Sequence, residues 1–167
     1  MAVGIDMGDD SIVLERFRPL NLVLNTPKGR GVFASAPIPA GTIVDISPVL
    51  ILDPQENVEH IEKTSLYHYT YNWPIKTTTR KVITTQAIIL GLGSMFNHST
   101  DDQNVGWTRK LDKEVIVYRA LRDIHEGEEL CISYGDHLWF VDADAEKSKA
   151  EPEVGEEMLG RIELDDV

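Results

Sequence analysis

Hydrophobic positions along this 167-residue chain fall in short clusters rather than long periodic runs. The stretches "NLVLNT" (21–26), "TIVDISPVLIL" (42–52) and "EVIVYRAL" (114–121) carry β-branched residues bounded by Pro, Gly, Asn or Asp, which predicts short strands. "PIPAGTIV" and "DIHEGEELCISY" share one layout, an apolar residue, turn residues, Gly and then a strand; each reads as a turn feeding a strand. Helical spacing is scarcer. "NVEHIEKTSLYHY" has Val58, Ile61, Ser65 and Leu66 at mixed helical intervals, and "TTQAIILGLGSMF" predicts a short helix around Leu90 to Phe96. In "YHYTYNWP" (67–74), Tyr67, Tyr69, Tyr71 and Trp73 alternate as in a strand. That alternation would set four rings on one face, either as core or as the wall of a channel with its hydroxyls turned inward. No internal repeat is visible. The pattern predicts a mainly β domain with few short helices.

The length suits one domain with tails. A boundary follows Phe140, because residues 142–167 hold ten acids and three bases for a net −7, against −5 for the 141 residues before them. The expected organisation is an N-terminal extension (1–19), a globular domain (20–141) and an acidic tail (142–167). That tail is either disordered or a docking helix with Val154, Met158 and Ile162 every four residues. A net charge of −12 disfavours direct nucleic-acid binding and favours basic partners. No apolar run approaches the roughly 18 to 20 residues of a membrane helix, and "MAVGIDMGDDSIV" lacks the basic and apolar regions of a signal peptide. The expectation is an intracellular protein without membrane contact. Cys131, the single cysteine, excludes an internal disulfide and argues against structural zinc. The sequon Asn97-His98-Ser99 is then incidental.

Several motifs fail their context. "GRGVFA" has the dinucleotide-binding spacing Gly29-x-Gly31-x-x-Ala34, but that motif needs a helix immediately after the glycines, and Pro37 and Pro39 bar one. A glycine pair survives, either a tight turn or a close approach to a ligand, flanked by Lys28 and Arg30. "DIHEGEE" is not His-Glu-x-x-His, and the five histidines show no close ligand pairing, so no metal site is expected. Cys131 has nothing nearby in sequence to lower its pKa and reads as a small strand residue.

In order, "KGRGVFA" (28–34), "GLGSMFNHS" (91–99), Asn104 and "ALRDIHEGEELCISYG" (120–135) resemble the SET-domain protein lysine methyltransferases. The likeness is greatest to the short stand-alone viral and fungal members without a zinc-binding post-SET segment. The resemblance implies several small β-sheets around a pseudoknot, in which the last motif threads beneath a loop near the Asn-His motif. It implies S-adenosylmethionine as cofactor, with Asn97 on the methionine moiety and the His98 backbone on the adenine. Lys28, Gly29, Arg30 and Gly31 would supply backbone contacts and one cation, and Trp139 and Phe140 a cover for the adenine. Tyr134 would hold its hydroxyl near the reacting centre beside the cofactor, with Tyr69 and Tyr71 walling the lysine channel. A departure stands in the loop: Thr100 replaces the family's Cys and Gln103 its Pro, with one residue added before Asn104. A slightly longer loop with cofactor contacts intact is expected. The implied activity is lysine N-methylation of a basic protein tail, foremost histone H3, in the nucleus with a cytoplasmic pool as the alternative. A non-histone protein substrate, or an idle fold that binds basic tails, is the rival reading. A homodimer is expected by likeness to the short members.

Overall fold

The computed structural model describes residue 12 and residues 19–134. Among the described residues nine strands form three sheets. Strands β1 (Leu20–Thr26) and β2 (Gly29–Ala34) make an antiparallel hairpin. A five-stranded sheet has the order β4 (Thr70–Lys76), β5 (Val82–Ile89), β3 (Ile43–Ile51), β8 (Val115–Ala120) and β7 (Val105–Lys110). Two short segments, β6 (Asn97–His98) and β9 (Cys131–Ile132), pair in parallel.

Each element has a local cause. Gly29 closes the β1–β2 turn at φ 91°, a left-handed conformation that favours glycine. Strand β3 pairs with β8 through residues 43 to 48 and with β5 from Val49 to Ile51. Pro48 sits at that change of neighbour, where its missing N–H removes little from the ladder. The two stretches of common layout pair with each other: Ile38 and Ile124 exchange backbone hydrogen bonds of 2.9 Å. Each then turns at a left-handed glycine, Gly41 or Gly127. Around these ladders Val32, Trp73, Phe96, Ile116, Tyr118, Leu130 and Ile132 form the buried core.

The helical expectations change form. Helix α1 (Pro54–Glu59) starts on Asp53, whose carboxylate accepts from the Gln55 and Glu56 N–H groups, with Pro54 in the first turn. Beyond it the chain makes two 3₁₀ turns, Ile61–Lys63 and Ser65–Tyr69. Thr64 starts the second by accepting from Leu66 N–H. Tyr67 and Tyr69 therefore leave the strand alternation, and only Tyr71 and Trp73 lie in β4. The segment near Leu90 narrows to a 3₁₀ turn, Leu92–Met95. It packs closely because a Cβ at Gly91 would overlap Ser47, and one at Gly93 the ring of Tyr118.

Candidate active site

Strand β9 is gripped on both flanks. On one side it runs parallel to Asn97 and His98, and Ser99 N–H donates to Ile132 O at 3.1 Å. On the other, fully buried Asn104 accepts from Cys131 N–H through Oδ1 at 2.8 Å and donates through Nδ2 to Glu129 O at 2.7 Å. Its backbone N–H donates to Cys131 O at 3.2 Å. One asparagine thus satisfies three backbone groups of the segment from Glu129 to Cys131.

The altered loop keeps this grip. Ser99 Oγ accepts from Asp102 N–H at 2.8 Å, and Gln103 Nε2 donates to Val105 O at 3.1 Å. Tyr134 N–H donates to His98 Nδ1 at 3.1 Å, which places the imidazole proton on Nε2, 3.1 Å from Thr100 Oγ1. Thr100 therefore orients His98.

Asn97 is held from below. Its Nδ2 donates to Arg30 O at 2.9 Å and to Glu129 Oε1 at 2.7 Å. Both partners accept only, which fixes the amide orientation and leaves Oδ1 as an acceptor with no partner among the described residues. Gly31 makes room for this arrangement: a Cβ there would overlap Glu129 Oε1 and stand 3.0 Å from Asn97 Nδ2. The glycine pair thus divides its work, Gly29 turning the chain and Gly31 admitting a carboxylate.

Lys28 Nζ donates to His98 O at 3.1 Å, tying the hairpin turn to the clamp. Arg30 reaches outward to Tyr69 OH at 3.4 Å. Tyr134 closes the group, its hydroxyl donating to Phe96 O at 2.7 Å. The residue is 44% exposed, yet its hydroxyl end is turned inward. Burial of that end, with Cys131, Tyr69 and Glu129 nearby, pushes the phenol up to about 12. Tyr71 lies in the neighbouring wall, edge-on to Trp107 at 5.2 Å, and burial pushes its phenol well above the ordinary value.

The structure therefore brings Lys28, Gly31, Asn97, His98 and Tyr134 into one cluster, with Arg30 and Tyr69 on its rim and Tyr71 beside it. Trp139 and Phe140 lie outside the described residues. Sequence reasoning missed Glu129 and Phe96. Glu129 stands 32 positions from Asn97, and only its bridge to Phe33 brings it beside Gly31. The usable signal was the "GEEL" motif itself, in which the second glutamate precedes an inward-facing Leu130.

No helix among the described residues is long and apolar enough to cross a membrane. No group of three or more His, Cys, Asp or Glu among them is placed to hold a metal.

A family model described as the SET domain matches residues 29–135. Over 134 residues the chain is 46% identical to the histone-lysine N-methyltransferase, H3 lysine-37 specific, of Schizosaccharomyces pombe (strain 972 / ATCC 24843), covering 80% of this chain and 85% of that protein. Among solved structures, the crystal structure of CpSET8 from Cryptosporidium superposes with a TM-score of 0.52 and 25% identity, over 71% of this chain and 58% of that one. The family match runs from the hairpin turn through both flanks of β9, and the chain belongs to the SET-domain family of protein-lysine methyltransferases.

Proposed function

We propose that the chain transfers a methyl group from S-adenosylmethionine to a lysine of histone H3, and that the Asn97–His98–Tyr134 clamp is the site. The observation that carries this reading is the pinned amide of Asn97, whose Nδ2 is spent on Arg30 O and Glu129 while Oδ1 has no partner among the described residues. The donor set fits the cofactor. An amino acid ammonium wants an acceptor, which Asn97 Oδ1 offers, and a carboxylate wants a cation, which Lys28 or Arg30 offers. His98 O already accepts from Lys28, but a carbonyl has a second lone pair for an adenine edge. Trp139 and Phe140 are proposed as its cover by resemblance alone.

When bound, the cofactor supplies a sulfonium methyl group open to in-line attack. The protein's residues supply alignment and a neutral, partly dry wall. Tyr134, with its phenol at about 12, is ionised to only roughly one part in 10⁵ at pH 7. It therefore orients through its hydroxyl and does not serve as the base. The substrate amine, with an ordinary pKa of about 10.4, loses its proton to solvent before it attacks, helped by desolvation. Alignment of this kind can supply several kcal/mol of the barrier, on the order of 7 when fully realised. Tyr69 and Tyr71 are proposed as channel walls.

The S. pombe relative is named for histone H3 lysine-37, and that lysine is the first target to test. Residues 19–134 hold eleven Lys and Arg against thirteen Asp and Glu, a net of only −2. Electrostatic attraction of a basic tail is thus assigned to the acidic segment 142–167. A nuclear location, the 1–19, 20–141 and 142–167 organisation and a homodimer accompany the proposal. The test is incubation with labelled cofactor and core histones beside Tyr134→Phe. Label on H3 with the wild type, and a large loss with the variant, is expected. Retained cofactor binding without transfer to any histone would favour a non-histone substrate or an idle fold.

A further inference from the structure

Strand β7 turns a cation inward beside the clamp. Trp107 and Arg109 are two positions apart and share one face of the strand. Across the β7–β8 ladder they stand opposite Tyr118 and Ile116, both fully buried. Position 109 therefore lies on the side where the core packs, and a charge there lowers stability unless it is paired. The guanidinium carbon of Arg109 sits 4.6 Å from the centre of the Trp107 ring, a cation on a π face. Its Nε is shut off from solvent without a hydrogen-bond partner, and no Asp or Glu among the described residues pairs with the group.

This cation lies against a wall of the proposed lysine channel. The Trp107 ring meets that of Tyr71 edge-on at 5.2 Å, and the two contacts in series put the guanidinium within about 10 Å of the Tyr71 ring, a reach over which partly buried charges are screened less than exposed ones. Arg109 is the charged group felt at Tyr71, where it draws the phenol down against the stronger upward effect of burial. The surrounding elements do not cancel it there. Tyr71 from β4, Tyr118 from β8 and Tyr134 after β9 are phenols kept neutral by burial. On β3, Asp45 faces Tyr118, and its carboxylate accepts from the Ser47 hydroxyl and from Gly93 N–H. Glu129, Tyr69 and Cys131 lie on the Tyr134 side, and Glu129 is held by Asn97.

We propose that Arg109 disfavours the charged form of the bound substrate lysine, so that its amine stands neutral at the reacting centre. The role rests on the methyl-transfer reading above, with Tyr71 as a channel wall. A lysine ammonium beside Tyr71 would face the guanidinium across about 10 Å of partly dry protein, where two like charges shift a pKa by on the order of one unit. The ammonium gives its proton to solvent water, and the freed electron pair forms the new N–C bond as the C–S bond of the sulfonium breaks. Arg109 acts on the bound ground state. It repels the ammonium and leaves the neutral amine unaffected, so it raises kcat and KM together and leaves kcat/KM unchanged.

Arg109→Met, Arg109→Gln and Arg109→Lys test this on an H3 peptide at saturating S-adenosylmethionine, with kcat and KM read from about pH 6 to about pH 10. Met and Gln each remove the charge, so one of them that folds is enough; Lys keeps it. In the neutral variants the rise of kcat with pH should move about one unit higher. Near about pH 7, kcat and KM for peptide should both fall about tenfold while kcat/KM holds, and the gap in kcat should close toward about pH 10. Arg109→Lys should follow the wild type near about pH 7, where its charge is kept. A kcat profile that stays in place in the neutral variants, or a fall in kcat/KM at every pH, would overturn the role while the reaction stands. A wild-type chain that transfers no methyl overturns the role together with the reaction.

Discussion

Replacing Gly31 by Ala separates the clamp from the fold. Gly31 lies in β2 with no left-handed φ, so alanine meets no backbone strain and regains about 0.5–1 kcal/mol of the entropy that glycine loses on folding. Its Cβ would overlap Glu129 Oε1. That atom ends a flexible side chain, so the carboxylate yields before the backbone does. Swinging away breaks the 2.7 Å bond to Asn97 Nδ2, a charge-assisted contact of the class worth about 1.5–3 kcal/mol. The amide of Asn97 is then held by its bond to Arg30 O alone and is less firmly oriented. Cofactor affinity should fall about tenfold to a hundredfold, while unfolding free energy should stay within about 1 kcal/mol of wild type. Titration calorimetry with S-adenosylmethionine beside thermal unfolding reads both. Glu129→Ala should show the same loss of affinity, and the double variant should lose no more. Cofactor binding at wild-type strength in Gly31→Ala would refute the reasoning. So would a destabilisation of about 3 kcal/mol or more, which would mean that the backbone yields in place of the carboxylate.

Three further outcomes follow from the same geometry. Asn104→Leu strands the buried Cys131 N–H and the Glu129 carbonyl; a loss of about 3 kcal/mol or more is expected in denaturant unfolding, at 1–3 kcal/mol for each unmet group. Burial alone would raise Glu128, but hydrogen bonds from Arg122, the His125 N–H and Asn104 outweigh it and hold the carboxyl down at about 2. A depressed carboxyl contributes stability above its unfolded value near about 4.5, lost as pH falls through about 2. An acid titration of stability should therefore be flatter between those values in Glu128→Gln than in wild type. Thr100→Val removes the oxygen beside His98 Nε2, and cofactor affinity should fall about threefold to tenfold in the same calorimetric assay, with a neutral hydrogen bond valued at about 1 kcal/mol.

Much of the sheet structure was legible because its signals are local. The clusters at 21–26, 42–52 and 114–121 became β1, β3 and β8; β3 and β8 bury Val44, Val49, Val115 and Ile116, whereas β1 is largely exposed. Strand β7, "VGWTRK", shows no such pattern. It is a strand because β8 offers it a partner and because Trp107 covers Tyr71. Strand β5 hides behind Thr84, Thr85 and Gln86, which read as polar until Thr85 is seen bonding Leu52 O from a buried position. The tyrosine alternation misled because Thr64 captures Leu66 N–H and winds residues 65 to 69 into a turn. For the site, Lys28, Asn97, His98 and Tyr134 were found through motif resemblance, which reports long-range geometry that periodicity does not. Glu129 escaped because its partner, Asn97, is brought to it only by strand pairing.

Mass spectrometry of histone H3 after incubation with S-adenosylmethionine tests the central claim most directly, with wild type and Asn97→Ala run side by side. One or more added methyl groups are expected on an H3 lysine with the wild-type chain and little or none with Asn97→Ala, although that variant stays folded. Equal methylation by both proteins, or no methyl on any histone with the wild type, would contradict it.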